Sequence, residues 1–270
     1  MKFTKMHGIG NDYVFVDCFS EQIQQPEQVA RMASDRHFGI GSDGLILIKP
    51  SKCADFEMEM YNADGSKGKM CGNGIRCVAK YVYEKGLTRK KSITVETLAG
   101  IRKLELLVEQ NSVTAVKVDM GEPVWESEQS MLLAGETRKL SCWSMGNPHC
   151  VIFVEKPVDL LDIEEMGRKL QQQEYFPQGV NVEFVNVLSK DCLRMRVWER
   201  GTGETLACGT GACAAMAAAN KKGYIQDKTR IQLPGGELTI FWDKNSNHIF
   251  MTGAAVTVYE GDFILPEGMK

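Results

Sequence analysis

The feature that most constrains this chain is a repeat. Residues 70–86 read MCGNGIRCVAKYVYEKG and residues 207–223 read ACGTGACAAMAAANKKG. In each, a cysteine (Cys71, Cys208) is followed by a spaced pair of glycines (Gly72 and Gly74, Gly209 and Gly211). A further glycine closes the run 15 residues after the cysteine, at Gly86 and Gly223. The cysteines lie 137 residues apart (208 − 71) in a chain of 270. Other stretches recur near that offset, as a duplication requires. GNDYVFVD at 10–17 is echoed by GNPHCVIFVE at 146–155. QVARMASDR before GIGSDGLILI is echoed by IEEMGRKLQQQ before FPQGVNVEFV, which sets Gly44 opposite Asn181. FEMEMYNADG is echoed by LRMRVWERGTG, which sets Asn62 opposite Glu199, each nine residues before its cysteine. Four matched elements in one order imply two copies of one fold.

Each half alternates short β-rich runs with turns. Apolar or alternating patterns predict strands over 2–7, 12–17, 44–48, 56–61, 92–97, 101–108 and 113–119 in the first half. In the second half they predict strands over 138–144, 150–155, 182–187, 193–198, 229–233, 237–242 and 249–257. Helices are expected over 27–36, 73–85, 161–173 and 209–221. The alanine-rich run after Cys208 is apolar all round, which in a water-soluble chain demands burial on every side. The expectation is an α/β fold of two pseudo-symmetric domains, each a curved mixed β-sheet wrapped around a central helix. The first would hold residues 1–115 with 259–270, the closing segment VYEGDFILPEGMK returning as a last strand, and the second residues 116–258.

Composition removes several functions. A net charge of −3 with 25% charged residues offers no electrostatic reason to bind nucleic acid or an anionic membrane. No apolar run approaches the roughly 20 residues of a spanning helix. The start, MKFTKMHGIGNDY, lacks the apolar core of a signal peptide, so cytoplasmic residence and free thiols are expected. Nine cysteines without a CxxC pair argue against a zinc ribbon or a thioredoxin-type centre, and no metal site is expected. GIGSDG at 39–44 satisfies the dinucleotide fingerprint GxGxxG, but it follows a helical pattern and leads into a strand, the reverse of what that motif needs.

A cysteine just before a helix sits where backbone N–H groups and the macrodipole favour an anion. Its thiol is expected to fall from about 8.5 into the range where thiolate exists at neutral pH. The neighbouring glycines let backbone N–H groups approach a bound carboxylate. One such copy reads most simply as a helix cap around a small buried residue, but two copies related by duplication favour a paired function. Halves facing each other across a cleft would bring two thiols to one carbon from opposite sides. That arrangement suits inversion of an α-carbon, with a thiolate as base on one face and a thiol as acid on the other. The helix starts would hold the carboxylate as it gains enediolate charge.

GIGNDYVFVD, NADGSKGKMCGNGIRC, SMGNPHCVIFV, GVNVEFV and ERGTGETLACGTGACA together resemble the diaminopimelate epimerase family nearly end to end. The resemblance implies a cofactor-independent enzyme that interconverts LL- and meso-diaminopimelate in lysine and peptidoglycan biosynthesis, with no pyridoxal phosphate and a homodimeric state. It implies Cys71 and Cys208 as the proton-transfer pair, with backbone N–H groups of Gly72, Asn73, Gly209 and Thr210 on the reacting carboxylate. Asn11, Asn62, Asn147, Asn181 and Arg200 would grip the substrate, and Glu199 its ammonium. His149 and Glu199 would tune the thiols. Some members carry glutamine at the position of Gly44, where this chain has no side chain to offer. Taken singly, the asparagines at 11 and 147 read as turn residues after glycine, and Arg200 beside Glu199 as a surface pair. Three other functions stay open: a sister two-cysteine racemase or epimerase acting on proline or hydroxyproline, a thiol redox sensor, and a plain amino-acid binding module.

Overall fold

The computed structural model describes residues 1–133, 135–266 and 269. The chain divides into two units, Met1–Val118 with Gly253–Lys270, and Asp119–Thr252; the sequence had put these joins near 115 and 258. Residues 267, 268 and 270 of the closing segment lie outside the described residues.

The first unit contains strands β1 (Lys2–Gly8), β2 (Asn11–Asp17), β3 (Gly44–Lys49), β4 (Phe56–Asn62), β5 (Lys67–Gly68), β6 (Ser92–Thr97), β7 (Gly100–Glu109) and most of β8 (Ser112–Gly121), with helices α1 (Pro26–Ser34) and α2 (Gly72–Glu84). The last strand, β18 (Val256–Asp262), returns to pair antiparallel with β1. From β18 the sheet runs through β1, β2, β3, β4, β6 and β7 to β8, with β2–β3 and β4–β6 parallel and the other neighbours antiparallel.

The second unit repeats this order. Its strands are β9 (Val124–Leu133), β10 (Glu136–Ser144), β11 (Pro148–Phe153), β12 (Asn181–Ser189), β13 (Cys192–Glu199), β14 (Gly203–Thr205), β15 (Lys228–Leu233), β16 (Gly236–Asp243) and β17 (His248–Gly253), with helices α3 (Ile163–Gln171) and α4 (Gly209–Lys221). Again two neighbouring pairs, β11–β12 and β13–β15, are parallel and the rest antiparallel. The duplication therefore extends to strand sense and register: His149 pairs with Asn181 where Val14, one residue past the equivalent Tyr13, pairs with Leu45.

Each sheet must curve. Helix α2 packs on β1, β2 and β7, and α4 on β10, β11, β12 and β16. Strands β1 and β7 are five places apart, about 24 Å in a flat sheet. A helix about 10 Å across reaches both only if the sheet wraps around it. The other helix of each unit covers the outer face. On β3, Leu45 and Leu47 pack with Val29, Ala30 and Ala33 of α1, while Ile46 turns to α2. On β12, Val182 and Phe184 pack with Ile163, Met166 and Leu170 of α3, which turns Glu183 to the opposite, α4 side. Burial on both faces explains why these strands read as near-continuous apolar runs. No helix among the described residues is long and apolar enough to cross a membrane.

Candidate active site

Both central helices begin on a cysteine. Cys71 (φ −125°, ψ 116°) and Cys208 (φ −124°, ψ 110°) hold nearly the same extended conformation as N-caps. In each the thiol sulfur accepts the N–H of the residue three positions on, Gly74 at 3.3 Å and Gly211 at 3.4 Å. This spends one orphan first-turn donor on the sulfur. The next N–H groups, of Gly72 and Asn73 and of Gly209 and Thr210, lie in the turn where the helix supplies no acceptor. Each helix ends at a glycine in the left-handed region, Gly86 (φ 76°) and Gly223 (φ 73°), which accounts for the equal length of the two runs.

In the first unit the Cys71 thiol donates to Asn11 Oδ1 at 3.1 Å, and the Asn73 amide donates to the same oxygen at 3.4 Å. Asn11 is held in turn by Asp43, whose carboxylate accepts from Asn11 Nδ2 at 2.8 Å and from the Asp12 N–H at 3.1 Å. Arg36 bridges Asp12 and Asp43 at 3.1 and 3.0 Å. Burial raises the Asp43 carboxyl, and the neighbouring Asp12 adds to this. Burial also drives the Tyr13 hydroxyl up, helped by Cys71. Asn62 lies at the exposed end of β4, its amide donating to Ser66 at 2.9 Å. Gly44 has no room for a side chain: a Cβ there would lie 2.1 Å from the Tyr61 carbonyl oxygen and 2.9 Å from the Tyr13 ring.

In the second unit a chain of contacts runs to the thiol. His149 Nδ1 meets Glu183 Oε1 at 2.7 Å, both side chains wholly buried. Its Nε2 meets Asn147 Oδ1 at 3.0 Å. Asn147 Nδ2 donates to Thr210 Oγ1 at 3.4 Å, and that hydroxyl lies 3.6 Å from Cys208 Sγ. Asn181 ties β11 to the strand end after β13, donating to the Pro148 carbonyl at 3.0 Å and accepting the Arg200 N–H at 2.9 Å. The Glu199 carboxylate accepts from the Thr205 hydroxyl, and the Arg200 guanidinium reaches the Gln178 carbonyl at 3.3 Å.

The Cys208 thiol departs from expectation. Burial, followed by the carboxylates of Glu199 and Glu183, raises it well above the ordinary thiol range. The Thr210 hydroxyl and the Gly211 N–H pull the other way but do not win. A helix start lowers a thiol, but burial and nearby negative charge raise it; here Cys208 is only 6% exposed and two carboxylates act on its sulfur. Of the polar groups around the two cysteine caps, sequence reasoning missed Asp43, Tyr13 and Glu183. Asp43 gave no signal beyond its place in a turn. Glu183 gave one: it is the lone charge in the apolar run VNVEFV.

The family model for diaminopimelate epimerase matches residues 3–126 and 141–258. A diaminopimelate epimerase of Acetivibrio thermocellus is 51% identical over 280 aligned positions, covering 99% of this chain and all of that protein. One of Methanococcus maripaludis is 52% identical, covering 97% of this chain and 99% of that protein. Among solved structures, a hydroxyproline epimerase from Agrobacterium vitis superposes with a TM-score of 0.75 over 97% of this chain and 91% of that one, at 17% identity, a likeness of fold alone.

Proposed function

The chain belongs to the diaminopimelate epimerase family, and we propose from that premise that it interconverts LL- and meso-diaminopimelate with Cys71 and Cys208 as the two proton-transfer groups. The observation that carries this reading is the pair of cysteine caps. Two thiols at repeat-equivalent helix starts hold the same backbone conformation and the same N–H···S contact.

The chemistry follows from the groups present. A thiolate takes the α-proton, and the C–H electron pair moves into the carboxylate as an enediolate. Backbone N–H groups of Gly72, Asn73, Gly209 and Thr210 donate to that charge, an interaction that strengthens as the charge develops. The second cysteine, as thiol, delivers a proton to the opposite face. The raised Cys208 thiol suits it to the acid's part in the resting enzyme. Base, acid and anion stabilisation are then all supplied by the chain, and pyridoxal phosphate has no step left to perform. Asn11, Asn62, Asn147, Asn181 and Arg200 suit the remaining head groups of a substrate with two ammoniums and two carboxylates, with Glu199 for an ammonium. Cytoplasmic residence and a homodimer belong to the same reading.

Chiral chromatography of LL-diaminopimelate incubated with reduced protein tests it. The expected result is a mixture of LL and meso isomers with the wild type and unchanged LL isomer with Cys71→Ala or Cys208→Ala. Turnover of proline or hydroxyproline instead would move the chain to a sister activity. Inversion of no amino acid would leave the cysteines a redox or binding role and refute the proposal.

A further inference from the structure

Glu183 is a buried carboxylate at a position where the fold does not need one. By the 137-residue offset its counterpart is Ile46, and the correspondence holds in space. A Cβ on Gly74 would lie 2.6 Å from Ile46 Cδ1, and a Cβ on the equivalent Gly211 would lie 2.6 Å from Glu183 Oε1. The same slot behind the thiol-capped turn is thus filled by a methyl group in one unit and by a carboxylate in the other. Burying a carboxylate is costly, and here burial raises its pKa against the opposing pull of His149. One oxygen, Oε2, has no hydrogen-bond partner. An isoleucine would cost the fold less, so the carboxylate is kept for what it does to its neighbours.

What it does is set a direction. Asn147 turns its Nδ2 to Thr210, so its oxygen faces His149, and an amide oxygen only accepts. His149 Nε2 must therefore carry hydrogen. Nδ1 faces Glu183 Oε1 at 2.7 Å, and the two share a proton whichever atom holds it. With Thr210 Oγ1 accepting from Asn147, its own hydrogen is free to point at Cys208 Sγ. Every donor then points toward the sulfur, the direction that stabilises the thiolate Cys208 becomes once it has given up its proton. Without a partner for Nδ1 the imidazole can take the other tautomer, Asn147 can flip to match, and the Thr210 hydroxyl can turn to the Asn147 oxygen, leaving the sulfur without that donor.

We propose that Glu183 is a positioning residue whose contact with His149 fixes the direction of the hydrogen-bond chain from His149 through Asn147 and Thr210 to Cys208. This rests on the proposed epimerase reading. The test compares Glu183→Gln, whose amide can still donate to Nδ1, with Glu183→Ile, the residue the other unit carries. Glu183→Gln should retain most of kcat. Glu183→Ile should melt cooperatively, lose kcat by up to about 100-fold and change KM little. In ¹⁵N imidazole spectra His149 should carry hydrogen on Nε2 in the wild type and in Glu183→Gln, and lose that single form in Glu183→Ile. The double variant Glu183→Ile/Thr210→Val should be no slower than Thr210→Val alone, because both remove one donor. If Glu183→Ile folds poorly, Glu183→Gln and Thr210→Val still decide. Full kcat in Glu183→Ile, equal losses in Gln and Ile, or an unprotonated Nε2 in the wild type would each overturn the proposal. A wild type that inverts no diaminopimelate would refute the function, while the imidazole spectra would still judge the direction of the chain.

Discussion

At Cys208 three effects compete, and burial with two nearby carboxylates outweighs a helix start and a hydroxyl. A thiol so placed should resist alkylation at neutral pH. Mass-mapped labelling with iodoacetamide at pH 7 should modify the exposed Cys53 and leave Cys208 intact in substrate-free protein. Because the shift is upward, Cys208 should label faster only as pH climbs beyond the usual thiol value of about 8.5; early labelling at pH 7 would contradict this. Glu59 shows the opposite balance. Burial pushes its carboxyl up, but Lys49, Lys67 and the Tyr61 hydroxyl overcome it and hold the group at about 2. A folded value below the unfolded one, about 4.3, contributes stability above that pH and loses it as pH falls toward 2. Glu59→Gln should therefore lower Tm at pH 7, and the gap to wild type should close on acidification. An equal gap at pH 2.5 and pH 7 would show that the ion pairs are not its cause. At this scale the sequence displayed the cysteines, glycines and asparagines but not their partners. Asp43, Tyr13 and Glu183 act through contacts 30 to 60 residues away in the chain (Asn11 to Asp43, Tyr13 to Cys71, His149 to Glu183), which no local pattern encodes.

Helix α4 was legible because burial on all sides leaves a compositional trace: alanine and small residues where sheet and helix approach closely. Residues 212–219 are all fully buried, so added volume has nowhere to go. Ala215→Leu should cost about 1–3 kcal/mol by overpacking, read as a lower urea midpoint; an unchanged midpoint would mean the helix is not enclosed. Strand β9 was missed for the reverse reason. Its burial alternates only between exposed and half-exposed until Leu133, so VWESEQSMLL carries no apolar face. Strands β5 and β14, of two and three residues, are too short for any period to show. The run 249–257 read as one strand because its apolar residues continue through a break: β17 ends at Gly253 and β18 starts at Val256 to pair with β1.

Across the whole molecule, the duplication was the most informative reading available, because it turned two weak cysteine signals into one strong one. It predicted two like units, and each has the same strand order with the same two parallel pairs. It could not predict where the copies would differ, and the differences carry chemistry: tyrosine and isoleucine behind Cys71, histidine and glutamate behind Cys208. The proposed function requires two thiols to handle one α-carbon from opposite faces. The most direct measurement is proton NMR of LL-diaminopimelate in D₂O with reduced protein at low conversion. The account predicts meso product carrying deuterium at the inverted carbon while recovered LL isomer keeps its protium, since the base that takes a proton is not the acid that returns one. Deuterium entering recovered substrate as fast as product would mean one group serving both faces, and the two-thiol account would fall.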